Sequence, residues 1–106
     1  MTVPDDKLVK GIICAWAKKN PRITKAHLYG SFLTRKTWPP NDIDIALEIN
    51  DVSSETGFTY WICEGNELAR ELGQLIGYKV HVELLDGMTP TVKQGIEAEA
   101  EVVYQR

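Results

Sequence analysis

Cysteine is scarce in this chain: Cys14 and Cys63 are the only two, far apart and without a CxxC or Cys/His spacing. That argues against a zinc-binding module and a disulfide-stapled scaffold, and leaves two thiols within apolar helical stretches, expected to be buried and reduced. Long apolar runs are missing. None approaches the roughly 20 residues a membrane-spanning helix needs, and Met1-Thr2-Val3-Pro4-Asp5-Asp6 lacks the basic-then-apolar order of a secretory leader. A cytoplasmic protein that does not meet the membrane is expected. Positive charge is not in excess either. Twelve Lys and Arg face fifteen Asp and Glu, a net charge of −3, which argues against sequence-independent binding of nucleic acid. Repeats, low-complexity tracts and linkers are also lacking, so residues 1–106 read as one domain.

What the chain does have is a spacing. His27-Leu28-Tyr29-Gly30-Ser31-Phe32 is followed by a turn rich in Thr, Trp, Pro and Asn, then by Asn41-Asp42-Ile43-Asp44-Ile45-Ala46-Leu47-Glu48-Ile49. A short apolar strand runs into a Gly-Ser turn, and a second apolar strand opens with carboxylates at i and i+2. Strand side chains alternate faces, so Asp42 and Asp44 point the same way and Ile43, Ile45, Leu47 and Ile49 point the other. Two like charges held that close repel each other unless a cation sits between them. Glycine lets a backbone approach a ligand closely, and amides after such a turn can cradle phosphate. A carboxylate pair beside a phosphate cradle fits a metal-bound nucleoside triphosphate, for which a net negative chain is no obstacle, because the cation supplies the positive charge locally.

The remaining elements follow from periodicity. Leu8, Val9, Ile12, Ile13 and Trp16 predict a helix over about 4–19, closed by Lys18, Lys19 and Asn20-Pro21. Strand one covers about 25–29. A short helix starts at Ser31 and ends before Trp38-Pro39-Pro40, and strand two covers about 42–49. Ser53 or Ser54 caps a long helix carrying Phe58, Trp61, Ile62, Leu68, Ala69, Leu72, Leu75 and Ile76, ended by Gly77. Tyr78 to Leu85 is strand three. Thr89-Pro90 starts a last helix through about Ala98, and Val102 to Tyr104 form a closing strand. The order predicts an α/β (α+β) fold, a small mixed sheet with helices packed on it.

The Gly30-Ser31 turn and the Asp42-x-Asp44 strand together resemble the signature of the DNA polymerase β-like nucleotidyltransferase superfamily, most of all its smallest members, the minimal nucleotidyltransferases, and the resemblance extends over nearly the whole chain. It implies the polymerase β-like fold, with Asp42 and Asp44 holding Mg²⁺ and catalysing transfer, and with Gly30 and Ser31 holding the triphosphate. Where such proteins carry Ala-Arg-Gly after the turn, this chain has Thr34-Arg35-Lys36. Arg35 is thereby carried over as a phosphate contact, and a lysine stands where glycine is usual. The resemblance further implies transfer of a nucleoside monophosphate from an NTP, ATP foremost, to a hydroxyl. The acceptor would lie on a partner protein, as in the bacterial and archaeal toxin–antitoxin pairs joining a minimal nucleotidyltransferase to a small helical HEPN protein.

The superfamily's third carboxylate comes from strand three. Here that strand reads Tyr78-Lys79-Val80-His81-Val82-Glu83-Leu84-Leu85, and alignment puts His81 at the third position. Glu83 lies two residues on, about 7 Å further along the same face. Glu83 is the working candidate for the third catalytic group and His81 the alternative. If neither serves, the chain is a silent nucleotide- or partner-binding module of the same fold. Trp38 is read as packing rather than base stacking, His27 as a histidine within the sheet, Lys25 and Lys79 as solvated strand ends, and Glu97, Glu99 and Glu101 as an exposed edge.

Overall fold

The computed structural model describes residues 2–49, 55–85 and 90–106, of which 55–63, 90–92 and 97 as backbone only. The elements run α1 (Asp6–Lys18), β1 (Ile23–Tyr29), α2 (Ser31–Thr34), β2 (Ile43–Ile49), α3 (Glu55–Ile76), β3 (Val80–Leu84), α4 (Pro90–Glu99) and β4 (Glu101–Gln105). This is the order read from the sequence, with boundaries moved by one to three residues. The proposed caps Ser53, Ser54 and Thr89 lie outside the described residues, as do the side chains of Phe58, Trp61, Ile62 and Cys63.

The boundaries have local causes. α1 starts after Asp5, whose carboxylate accepts from the Lys7 N–H at 3.0 Å, so Pro4 precedes the cap rather than opening the helix. α3 ends at Gly77, whose φ of +79° suits glycine after a helix. β1 begins two residues earlier than expected because Ile23 is drawn into the core opposite Ile49.

The four strands form one sheet in the order β3-β2-β1-β4. β1 is antiparallel to both β2 and β4, and β2 runs parallel to β3. One face carries the core. Ala26 and Leu28 of β1, with Ile43, Ile45, Leu47 and Ile49 of β2, are buried against Val9, Ile13, Trp16 and Ala17 of α1 and Leu68, Leu72 and Ile76 of α3. The isoleucine alternation of β2 thus faces the helices, as its period of two predicts, and leaves Asp44 and Glu48 on the opposite face.

Three expected core positions need correction. Leu8 and Leu75 are 55% and 53% exposed, because each sits at the margin of its helix's apolar stripe, while Val9 and Ile13, or Leu72 and Ile76, take the centre. Cys14 is a free thiol, half-buried rather than buried.

Candidate active site

The site face of the sheet is assembled by register. Tyr29 of β1 stands opposite Asp44 of β2, and Asp44 stands level with His81 of β3. In the next row His27 faces Ala46, and Ala46 is level with Glu83. Tyr29, Asp44 and His81 therefore form one transverse row, with Glu83 one step along. Asp42 lies immediately before β2, close enough for its charge to act on the Asp44 carboxyl.

Gly30 closes this row at the end of β1. Its φ of +76° and ψ of −162° belong to a region essentially reserved for glycine. A Cβ there would overlap Asp44 Oδ2. The sequence suggested a glycine needed for close approach of phosphate, and within the protein the close approach is made by the Asp44 carboxylate itself. The Gly30 carbonyl accepts from the N–H groups of Leu33 and Thr34, which turns the chain into α2. Ser31, half-buried, is the first residue of that turn, and the amides of Ser31 and Phe32 stand ahead of the helical ladder.

Electrostatics mark the same place. The Asp44 carboxyl is pushed up to about 6, first by burial and then by the charge of Asp42, with His81 pulling the other way. The Tyr29 hydroxyl is pushed up to about 12, by burial and then by Asp44, Glu83 and Asp42. Tyr29 was not singled out from the sequence. The available signal was the period of β1, which puts Tyr29 on the same face as His27 and directly before the glycine turn.

On β3, His81 Nε2 lies 2.6 Å from Glu83 Oε1. An ionised carboxylate only accepts, so Nε2 is assigned as the N–H donor, and in the neutral ring Nδ1 is then the acceptor. Glu83 is thus engaged with His81, and it is His81 that stands beside Asp44.

Arg35 is engaged elsewhere. Its guanidinium pairs with Asp6 at the start of α1 and lies 3.9 Å from the centre of the Trp38 ring. Trp38, 43% exposed, in turn stacks on Phe32 with ring centres 6.2 Å apart. Arg35 has a φ of 64°, the left-handed conformation that ends α2, whereas Lys36 does not share it. The lysine at the usual glycine position therefore requires no unusual backbone at that residue. His27 is held within the sheet, 3% exposed and 2.8 Å from Glu48 Oε2. Of the acidic edge, Glu101 pairs with Lys10 at 2.5 Å and Glu99 with Lys36 at 3.6 Å.

The donor set can be tested against Mg²⁺ on its chemistry. Among the described residues no group of three His, Cys, Asp or Glu side chains is placed to hold a metal ion. Two hard carboxylates converge, and the Asp44 carboxyl is raised first by burial and then by the charge of Asp42. Mg²⁺ characteristically takes one or two carboxylates and completes its shell with water and substrate phosphate rather than with an all-protein cage. The residues present fit that ion.

Fold and site together define a class: small α+β proteins that hold a carboxylate pair against a glycine turn at the rim of a mixed sheet. The chain belongs to the polymerase β nucleotidyltransferase family, whose description, "Polymerase beta, Nucleotidyltransferase", is matched by residues 12–106. Solved structures agree in fold. One holds a tri-AMPylated Shewanella oneidensis HEPN toxin in complex with MNT antitoxin; it is 21% identical, with a TM-score of 0.66 over 94% of this chain and 72% of that one. A toxin–antitoxin structure with AMP-PNP is 20% identical, with a TM-score of 0.69 over 92% of this chain and 73% of that one. A third, of the toxin–antitoxin MntA–HepT, is 20% identical with a TM-score of 0.66 over 95% and 74%. No curated protein sequence matches the chain significantly. No helix among the described residues is long and apolar enough to cross a membrane.

Proposed function

We propose that this chain is a Mg²⁺-dependent nucleotidyltransferase that moves a nucleoside monophosphate from an NTP, ATP foremost, to a hydroxyl on a partner protein in the cytoplasm. The observation that carries the reading is the convergence of Asp42 and Asp44 against the Gly30–Ser31 turn. The adenylylated toxin and the bound AMP-PNP in proteins of this fold support the choice of nucleotide and of a HEPN-type helical partner, with this chain as the antitoxin.

Asp42 and Asp44 would hold Mg²⁺, which when bound supplies charge neutralisation at the phosphates and at the attacking and leaving oxygens. The amides after Gly30 and the Ser31 hydroxyl orient the β- and γ-phosphates. His81, held by Glu83, takes the proton of the acceptor hydroxyl at Nδ1 as its oxygen attacks the α-phosphorus. The bond from the α-phosphorus to pyrophosphate breaks, and pyrophosphate leaves with its electron pair. His81 and Glu83 thus act as a unit at the third position. Release of Arg35 from Asp6 would bring a cation to the phosphates.

A second reading has its own observation. With a histidine in the row beside Asp44, the chain would be a silent nucleotide- or partner-binding module if His81 does not take the proton. Titration calorimetry with ATP and Mg²⁺ tests the site common to both readings. Asp42→Asn combined with Asp44→Asn is expected to abolish Mg²⁺-dependent ATP binding in a folded protein, and unchanged affinity would sink the assignment. Transfer of labelled AMP to a HEPN-type partner by the parent chain separates the two readings.

A further inference from the structure

Strand β3 is the outer strand of the sheet, and no described strand pairs with its far side. Its register decides which backbone groups are left over. Ile43 N–H donates to the Lys79 carbonyl at 2.9 Å, and Ile43, Ile45 and Leu47 stand level with Val80, Val82 and Leu84. In a parallel ladder this register directs the backbone of Lys79, His81 and Glu83 to β2 and turns the N–H and C=O groups of Val80 and Val82 outwards. Alongside them lies a groove of about 520 Å³, walled by residues 80–83 on one side and by Gly65, Asn66 and Ala69 of α3 on the other. Gly65 and Ala69 carry almost no side chain, which leaves width, and the Asn66 amide both donates and accepts. His81 and Glu83 belong to the groove and to the candidate active site alike.

We propose that this groove docks the acceptor: an extended polypeptide segment adds to the free edge of β3, and its hydroxyl-bearing residue is thereby presented to the site beside Asp44. This deepens the nucleotidyltransferase reading and rests on it. Outward-facing N–H and C=O groups in strand register are matched by another peptide backbone, the chemistry of strand addition. The carboxylate that lines the groove, Glu83, selects Lys or Arg next to the hydroxyl and disfavours a nucleic-acid acceptor.

The test uses the full chain, immobilised with Mg²⁺ and a non-hydrolysable ATP analogue, against a degenerate decapeptide library with a fixed central Tyr, Ser or Thr. The retained pool should be enriched in Lys and Arg around the hydroxyl, and the best peptide should slow amide exchange at Val80 and Val82 at least tenfold. Ala69→Arg, which fills the groove from a half-buried helix position, should weaken that peptide at least tenfold. Val82→Pro, which deletes an outward N–H without touching the β2 ladder, should do the same. Three results would overturn the proposal: no peptide retained, equal peptide affinity in folded Ala69→Arg and parent, or an oligonucleotide protecting Val80 and Val82 where peptides do not. Calorimetry with ATP and Mg²⁺ on the same samples keeps the two ideas apart. Absence of ATP binding by the parent counts against the nucleotidyltransferase reading, whereas ATP binding without peptide capture counts against the groove alone.

Discussion

At the Gly30–Asp44 junction a backbone and a side chain occupy each other's only available space, whereas at the β3 rim His81 and Glu83 stand about half in solvent with one hydrogen bond between them. The first region leaves no latitude: a left-handed turn, a half-buried carboxylate and the end of an interior strand fix one another. The second tolerates exchange, because an edge strand's outward side chains have no packing partners to satisfy. That contrast fits the proposed site, in which the fold holds the Gly-Ser turn and the aspartate pair while a histidine takes the third position.

The largest expected effect comes from breaking the tight side. Gly30→Val places a branched Cβ on Asp44 Oδ2 in a backbone region that resists side chains. It should cost about 3 kcal/mol or more of stability, with ATP binding lost alongside. Denaturant unfolding checks this, and a Gly30→Val protein as stable as the parent would show that the junction is not as constrained as its geometry says.

Next comes the permissive side, where the fold should survive and only chemistry should suffer. His81→Ala is expected to lower AMP transfer by about 10²–10⁴-fold with ATP affinity nearly unchanged. Glu83→Gln replaces the charged acceptor that fixes the imidazole with a neutral amide and should give a smaller loss, about tenfold. Single-turnover transfer measures both. If Glu83→Gln proves the more damaging, Glu83 rather than His81 takes the proton.

A pH series sharpens the contrast from the side of Asp44. Its folded carboxyl is raised from 3.8 to about 6, so the folded state holds the proton more tightly than the unfolded chain. The stability this gives is fully present below pH 4 and is lost as pH rises through 6. Because the group is partly solvated, the amount is about 1 kcal/mol after discounting for screening. Without Mg²⁺, Asp44→Asn should therefore melt higher than the parent at pH 8 and level with it at pH 4. For the parent, Mg²⁺–ATP affinity should weaken as pH falls below 6, because proton and cation compete for one carboxylate. A melting difference independent of pH would refute the electrostatic account.

Asp6→Asn should have the smallest effect. The Asp6–Arg35 pair is exposed on both sides, so its loss should change stability by no more than about 1 kcal/mol. Freed from Asp6, Arg35 should raise ATP affinity by about twofold, and a fall in affinity would mean that the pair positions Arg35 instead of occupying it.

The sequence by itself determined the element order, the core face of β2 and the place of the carboxylate pair. All three rest on local rules: the period of strand and helix, the stop at Gly77, and the charge conflict of Asp42 with Asp44. It could not determine what depends on register between strands distant in the chain. That His81, which the resemblance put at the third position, is level with Asp44 while Glu83 is level with Ala46, and that Tyr29 completes the row, follows from how β1 and β3 pair with β2. Nor could spacing reveal that Arg35 is taken up by Asp6 and Trp38, or that Gly30 is required by Asp44 itself. Periodicity specifies which way a side chain points. Only packing three strands side by side decides what it meets there, because a shift of one residue in any pairing would have turned another residue into the site.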